Sequence, residues 1–236
     1  MQLGLSTGNL YKFQKIRNSK QEIDLYSKAG VEGIELFTRK FSDLDGLAKI
    51  DSEWLESFSY KSIHAPGKQE YKNDKSTKSA LEKMRKAVKA LEIQTVVLHP
   101  EVVLDWEVFA EFSDIPFAVE NMDNRKFFGK FPDELVEIIK KYNFGFVLDF
   151  QHIYMNDRSM ELADEFMDKF GESLVEVHVS GAAEDPVHEM LYKTKQDVII
   201  KALKGVLQKK DVPVIIESNF EDEEDIEREL KYIRTH

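Results

Sequence analysis

Six residues with metal-binding side chains each follow a run rich in apolar residues. They are His64 in SIHAP, His99 in VVLHPE, Glu120 in FAVENMD, Asp149 in VLDFQH, His178 in VEVHVSG and Glu217 in VIIESN. Imidazole mixed with carboxylate suits Zn²⁺, Mn²⁺, Co²⁺ or Fe²⁺ better than Ca²⁺, because imidazole favours transition metals. The chain has no cysteine, which excludes disulfides and thiolate ligands, so an ion here must be held by His, Asp and Glu. One such residue after a strand is more often a structural group, a helix cap or a surface charge. The repetition carries the reading. His152 follows Asp149 by three residues, so one turn would bring both over the same place. In HVSGAAEDPVHEM, Gly181 permits a turn after His178. Asp185 and His188 then offer another carboxylate and imidazole, for a further ion, a substrate hydroxyl or a helix cap. Glu35 reads as a cap, a surface charge or a lining residue, and His236 as a solvated terminus.

The elements that must position this set alternate between short β-rich runs and amphipathic helical patterns. The strand candidates are residues 3–6, 33–36, 60–64, 95–99, 116–120, 144–149, 174–180 and 213–217. Several are nearly continuous apolar runs, as in parallel strands buried on both faces. Ser6, Glu35, His64, His99, Glu120, Asp149, His178 and Glu217 close or nearly close them, at intervals of 29, 29, 35, 21, 29, 29 and 39 residues. A βα unit takes about 30 residues and eight of them close a barrel of about 250. The expectation is therefore an α/β fold, a single (β/α)₈ TIM barrel domain over residues 1–236, with eight helical stretches. An open doubly wound sheet is the competitor, but TGNLYK after Ser6 is no Gly-rich fingerprint. Ser76 and Thr77 are expected to open a long helix, and Pro132 to take a first helical position. The acidic run at 221–225 should open the last helix.

Composition bounds the partners. The net charge is −11, so the chain as a whole does not attract nucleic acid or an anionic membrane surface. Active sites of such barrels lie at the C-terminal ends of the strands. Lys68, Arg125 and Lys126 follow the third and fifth strands and could approach a phosphate there. No apolar run approaches the roughly 18–20 residues that span a bilayer, and no secretory signal is visible, so a cytoplasmic location is expected.

The ordered series His, His, Glu, Asp-x-x-His, His, Glu resembles the xylose isomerase-like TIM barrel superfamily along nearly the whole chain. That superfamily includes sugar phosphate isomerases and epimerases and the endonuclease IV-like proteins. In the isomerase and epimerase branch, the resemblance implies one divalent ion on Glu120, Asp149, His178 and Glu217. It also implies His152 against the substrate, with Glu120 and Glu217 as acid and base for proton transfer through a metal-stabilised enediolate. The arginine that this branch carries after its equivalent of His178 is absent from SGAAEDPV. In the endonuclease IV branch, the resemblance implies up to three ions. His64, His99 and Glu120 would hold the first, Glu120, Asp149, His178 and Glu217 the second, and His152, Asp185 and His188 the third. Here the family spacing Asp-x-His is replaced by Asp185-Pro-Val-His188. The sequence leans to an isomerase or epimerase of a small sugar or sugar phosphate, with one Zn, Mn or Co ion. His64, His152, His188, Lys68 and Arg125 would then contact substrate. The alternatives are a multi-metal phosphodiesterase of abasic-site DNA or a small phosphodiester, a lyase or dehydratase, and a barrel that only binds metal or sugar. A homo-oligomer is compatible with each.

Overall fold

The computed structural model describes residues 1–10, 17–184 and 188–236. Eight parallel strands close into a barrel: β1 (Leu3–Ser6), β2 (Gly33–Phe37), β3 (Tyr60–His64), β4 (Thr95–Leu98), β5 (Phe117–Glu120), β6 (Gly145–Asp149), β7 (Leu174–Val179) and β8 (Val214–Ile216). Neighbours in the barrel are neighbours in sequence, and β8 pairs with β1 to close it. Around it lie α1 (Lys20–Lys28), α2 (Lys75–Leu91), α3 (Pro132–Tyr142), α4 (Phe150–Asn156), α5 (Glu161–Phe170), α6 (Asp197–Lys209) and α7 (Glu223–Thr235).

Side chains alternate between faces along a strand, so each barrel strand offers one set to the helices and one to the interior. The outward set is apolar: Leu5, Ile34, Leu36, Ile63, Val96, Leu98, Val119, Leu148, Val177 and Ile216 join the helices in one large core. The inward set is different. Val97, Ala118 and Val147 form a small separate apolar cluster. The alternate positions of β2, β3 and β7 carry Glu35, Tyr60, Ser62, His64, Glu176 and His178, all buried. A barrel interior is ordinarily filled by layers of branched apolar residues. This one carries carboxylates up through its middle to the mouth.

The helices follow their local signals. In α2 the apolar residues Ala80, Leu81, Met84, Ala87, Val88 and Leu91 recur at helical spacing and are buried. That helix opens earlier than Ser76, because the Asp74 side chain accepts from Thr77 N at 2.8 Å and caps it. Pro132 stands in the first turn of α3, and Asp222 caps α7 ahead of its acidic first turn. The expectation of eight helical stretches needs correction. From β2 to β3 the chain makes only 3₁₀ turns (Phe41–Asp43, Ser52–Leu55) and one α turn (Leu44–Leu47). From β4 to β5 it makes only the 3₁₀ segments Pro100–Val102 and Trp106–Phe112. The second coincides with the shortest interval, the 21 residues from His99 to Glu120. Among the described residues, no helix is long and apolar enough to cross a membrane.

Closure of the barrel relies on Gly4. A Cβ there would lie 2.5 Å from Ile215 Cδ1 and 2.8 Å from the backbone carbon of Gly33. Backbone cannot retreat as a side chain can. Gly4→Ala is therefore expected to destabilise the protein by roughly 1–3 kcal/mol or more. A thermal midpoint equal to that of the wild type would refute this.

Candidate metal centre

The barrel mouth gathers the expected residues from six strands. His64, Glu120 and Asp149 are the last residues of β3, β5 and β6, and His178 lies one residue inside the end of β7. His99 and Glu217 directly follow β4 and β8. Two groups form, each with its ligand atoms within 4.8 Å of one another: His64, His99 and Glu120, and Glu120, Asp149, His178 and Glu217. Glu120 belongs to both.

In the first group, His64 Nε2 and His99 Nε2 are 3.0 Å apart. Glu120 Oε2 lies 2.9 Å from the latter and 3.9 Å from the former. Ligands set tetrahedrally at 2.0–2.2 Å from a zinc-sized ion stand roughly 3.3 Å apart, so these three atoms already converge on such a point. In the second group, His178 Nδ1 lies 3.1 Å from Glu120 Oε1 and 3.6 Å from Glu217 Oε1. Asp149 does two things at once. Its Oδ1 accepts from His152 N at 2.7 Å and caps α4, while the buried Oδ2 has no hydrogen-bond partner among the described residues. Glu120 Oε2 is likewise buried and without hydrogen-bond geometry to any donor. Buried acceptors left open and converging nitrogens are what a cation would satisfy, so the donor set fits a divalent ion.

The imidazoles are fixed from behind. His64 Nδ1 is tied to the carbonyl of Ala65 at 3.0 Å and His152 Nδ1 to that of Asn121 at 2.7 Å. In each, Nδ1 carries the proton and Nε2 is left to accept. His188 Nδ1 lies 2.9 Å from Ser180 Oγ, and its ring centroid is 5.8 Å from that of His152. Of the third expected ligand group, His152 and His188 stand as neighbours, and Asp185 lies outside the described residues.

The electrostatics match this arrangement. Burial raises the carboxyl pKa values of Asp149 and Glu217, and the neighbouring acids add to it. Burial acts against Glu120 too, but His178 and His99 override it and hold its carboxyl well below the usual range. For His99, burial is overcome by Glu120 and Glu101, which raise it to about 10. His178 is likewise raised against burial, by Glu217, Glu35 and Glu120. His64 and His188 are lowered to about 3, chiefly by burial and then by the neighbouring imidazoles. Protons on His99 and His178 answer the carboxylate charge that a bound ion would otherwise answer.

The centre opens into a cleft of about 360 Å³, lined by His152, His188 and Asp123 and by the cations Arg17, Arg39 and Lys68. Lys68 stands where its sequence position suggests. The backbone N–H of Lys68 donates to the Arg39 carbonyl at 3.1 Å, which ties the β2 and β3 loops together. Among the described residues neither side chain has an ion-pair partner. Arg125 and Lys126 also line the cleft, but each is paired, Arg125 with Asp123 and Lys126 with Glu101. Glu35 corrects its expectation as a cap or surface charge: it is fully buried inside the barrel, with Oε2 3.4 Å from His178 Nε2. Sequence reasoning also passed over Glu176, Asp123 and Glu101. Glu176 had a signal, since a residue two before His178 shares its face of the strand.

A barrel carrying a His/Asp/Glu centre at its C-terminal mouth defines the class. Over residues 23–236 the chain matches the xylose isomerase-like TIM barrel family, and it belongs to that family. Among solved structures, endonuclease IV from Thermus thermophilus superposes with a TM-score of 0.71 at 15% identity, covering 99% of this chain and 98% of that one. D-allulose 3-epimerase from Methylomonas sp. gives 0.70 at 15% identity, covering 99% and 96%. The probable 3-DHS dehydratase AsbF from Bacillus anthracis gives 0.69 at 12% identity, covering 100% of each. At such identities the likeness is one of fold. No curated protein matches the sequence.

Proposed function

We propose that this protein is a metal-dependent phosphoesterase that acts on a small phosphate ester. The observation that carries the reading is the division of Glu120 between the two ligand groups. Its Oε2 faces His64 and His99, and its Oε1 faces His178. His64 Nε2 and His99 Nε2, 3.0 Å apart, converge with Glu120 Oε2 on one point, which supports His64 and His99 as ligands. Clustered divalent ions would supply Lewis-acid charge to a phosphoryl group and lower the pKa of the attacking water. The chain's own residues do the rest. His64 and His152 are oriented by backbone carbonyls, and Lys68 and Arg39, without an ion-pair partner among the described residues, offer cations to the ester's phosphate. A cleft of this size suits a small ester.

Proton transfer on a sugar or sugar phosphate is the second reading. It is favoured by Glu217, whose carboxyl is raised by burial within the four-residue group and suits acid/base work. One preparation tests both. Elemental analysis of purified protein is expected to give two or three transition-metal ions per chain, with hydrolysis of bis-p-nitrophenyl phosphate in Mn²⁺ or Zn²⁺. One ion per chain, with solvent deuterium entering a ketose in the wild type but not in Glu217→Gln, would replace the first reading by the second. Incision of an abasic-site duplex as the dominant activity would overturn the small-ester assignment.

A further inference from the structure

His178 differs from the other mouth histidines in what holds it. His64 and His152 are tied through Nδ1 to neutral carbonyls and present Nε2. His178 is turned the other way, tied through Nε2 to a carboxylate. Its Nε2 lies 2.6 Å from Glu176 Oε1, and its Nδ1 faces Glu120 and Glu217. Glu176 is itself anchored. The Tyr60 hydroxyl donates to Glu176 Oε2 at 2.5 Å and lies 2.7 Å from Thr95 Oγ1. Tyr60 and Thr95 open β3 and β4, so the chain of contacts runs from the barrel floor to the mouth. Glu176 and His178 have no exposed surface. A carboxylate in such a place is costly unless its position is needed.

Glu35, Glu176 and His178 also meet the distance criterion for an ion site. The contacts argue otherwise. A separation of 2.6 Å is a charge-assisted hydrogen bond, and the second Glu176 oxygen is already taken by Tyr60.

We propose that Glu176, anchored by Tyr60 and Thr95, is the positioning residue that keeps the His178 proton on Nε2 and turns Nδ1 toward Glu120, Asp149 and Glu217. The inference rests on the assignment of His178 as a ligand, not on the reaction. A carboxylate behind a ligating imidazole fixes its tautomer and ring orientation and makes it a stronger donor; losing such a partner typically weakens metal affinity 10–100-fold. By this account the four-residue group holds its ion through the imidazole with the shortest carboxylate contact at the mouth. In the His64 and His99 group the carboxylate stands farther off, with His99 Nδ1 3.5 Å from Glu101 Oε1.

The test is Co²⁺ titration of metal-stripped protein, read by visible absorption and by competition with a chelator. Glu176→Gln keeps the volume and removes the charge. It is expected to weaken binding at one of two resolved sites about 10–100-fold and to alter that site's spectrum. Tyr60→Phe, which leaves the carboxylate in place, should give a smaller loss at the same site. Unfolding midpoints of the metal-free variants separate this from loss of fold. Should Glu176→Gln not fold, Tyr60→Phe decides alone, and unchanged affinity and spectrum there overturn the proposal. The same result in a folded Glu176→Gln does so too. No Co²⁺ uptake by the wild type would instead sink the metal reading itself.

Discussion

Glu120→Gln is expected to lose both metal groups at once. Glu120 is fully buried and gives one oxygen to each group. The amide keeps the shape but removes the charge, and its NH₂ end would point a donor at His99 or at His178. The charge of bound metal supplies several kcal/mol of transition-state stabilisation, and each 1.36 kcal/mol is tenfold in rate, so losing about 4 kcal/mol is about 10³-fold. Activity should therefore fall by roughly 10³-fold or more, and bound metal should fall to one ion per chain or none. Glu217→Gln is the contrast. Glu217 belongs to the four-residue group alone, so the His64, His99 and Glu120 group should keep its ion. Retention of two ions by Glu120→Gln would refute the shared carboxylate and with it the main support for the phosphoesterase reading.

How much of this was legible in the sequence follows from the physics of a parallel barrel. Its strands are buried on both faces, so they read as apolar runs, and the ligand near each end breaks the run visibly. That is why His64, Glu120, Asp149, His178 and Glu217 stand out, and why their spacing gives the barrel. Three features did not stand out. Glu176 lies within VEVHV, where a lone acid amid valines looks like a solvated position until the strand is known to be internal. Glu35 was misread for the same reason. Asp123 sits in a loop and Glu101 in the 3₁₀ turn Pro100–Val102, and what they pair with depends on the shape of these connections, which no period encodes. Ring orientation is likewise a tertiary property. Only the placement of Ala65 O, Asn121 O and Glu176 decides which nitrogen of each imidazole faces the centre.

Metal should stabilise the protein more at pH 8.5 than at pH 7.0. The sign follows from the groups at the mouth. Glu35 is raised to about 8 by burial, and His99 to about 10 against burial by Glu120 and Glu101. A raised folded-state pKa contributes stability below the unfolded value, and that contribution is lost as pH rises through the folded one. Metal-free stability should thus decline between pH 7.0 and 8.5. His64 and His188, lowered to about 3, add stability between that value and 6.5 and nothing further above pH 7. An ion needs deprotonated ligands, so binding displaces the His99 proton and tightens as pH rises. At a metal concentration of about 1,000 times Kd the stabilisation is about 4 kcal/mol. For a chain of this size that is a midpoint gain of roughly 8–16 °C. Melting the stripped and Mn²⁺-loaded protein at both pH values reads the difference directly. An equal gain at the two would mean that binding displaces no proton, and that the His99 Nε2 found 2.9 Å from Glu120 is not a ligand.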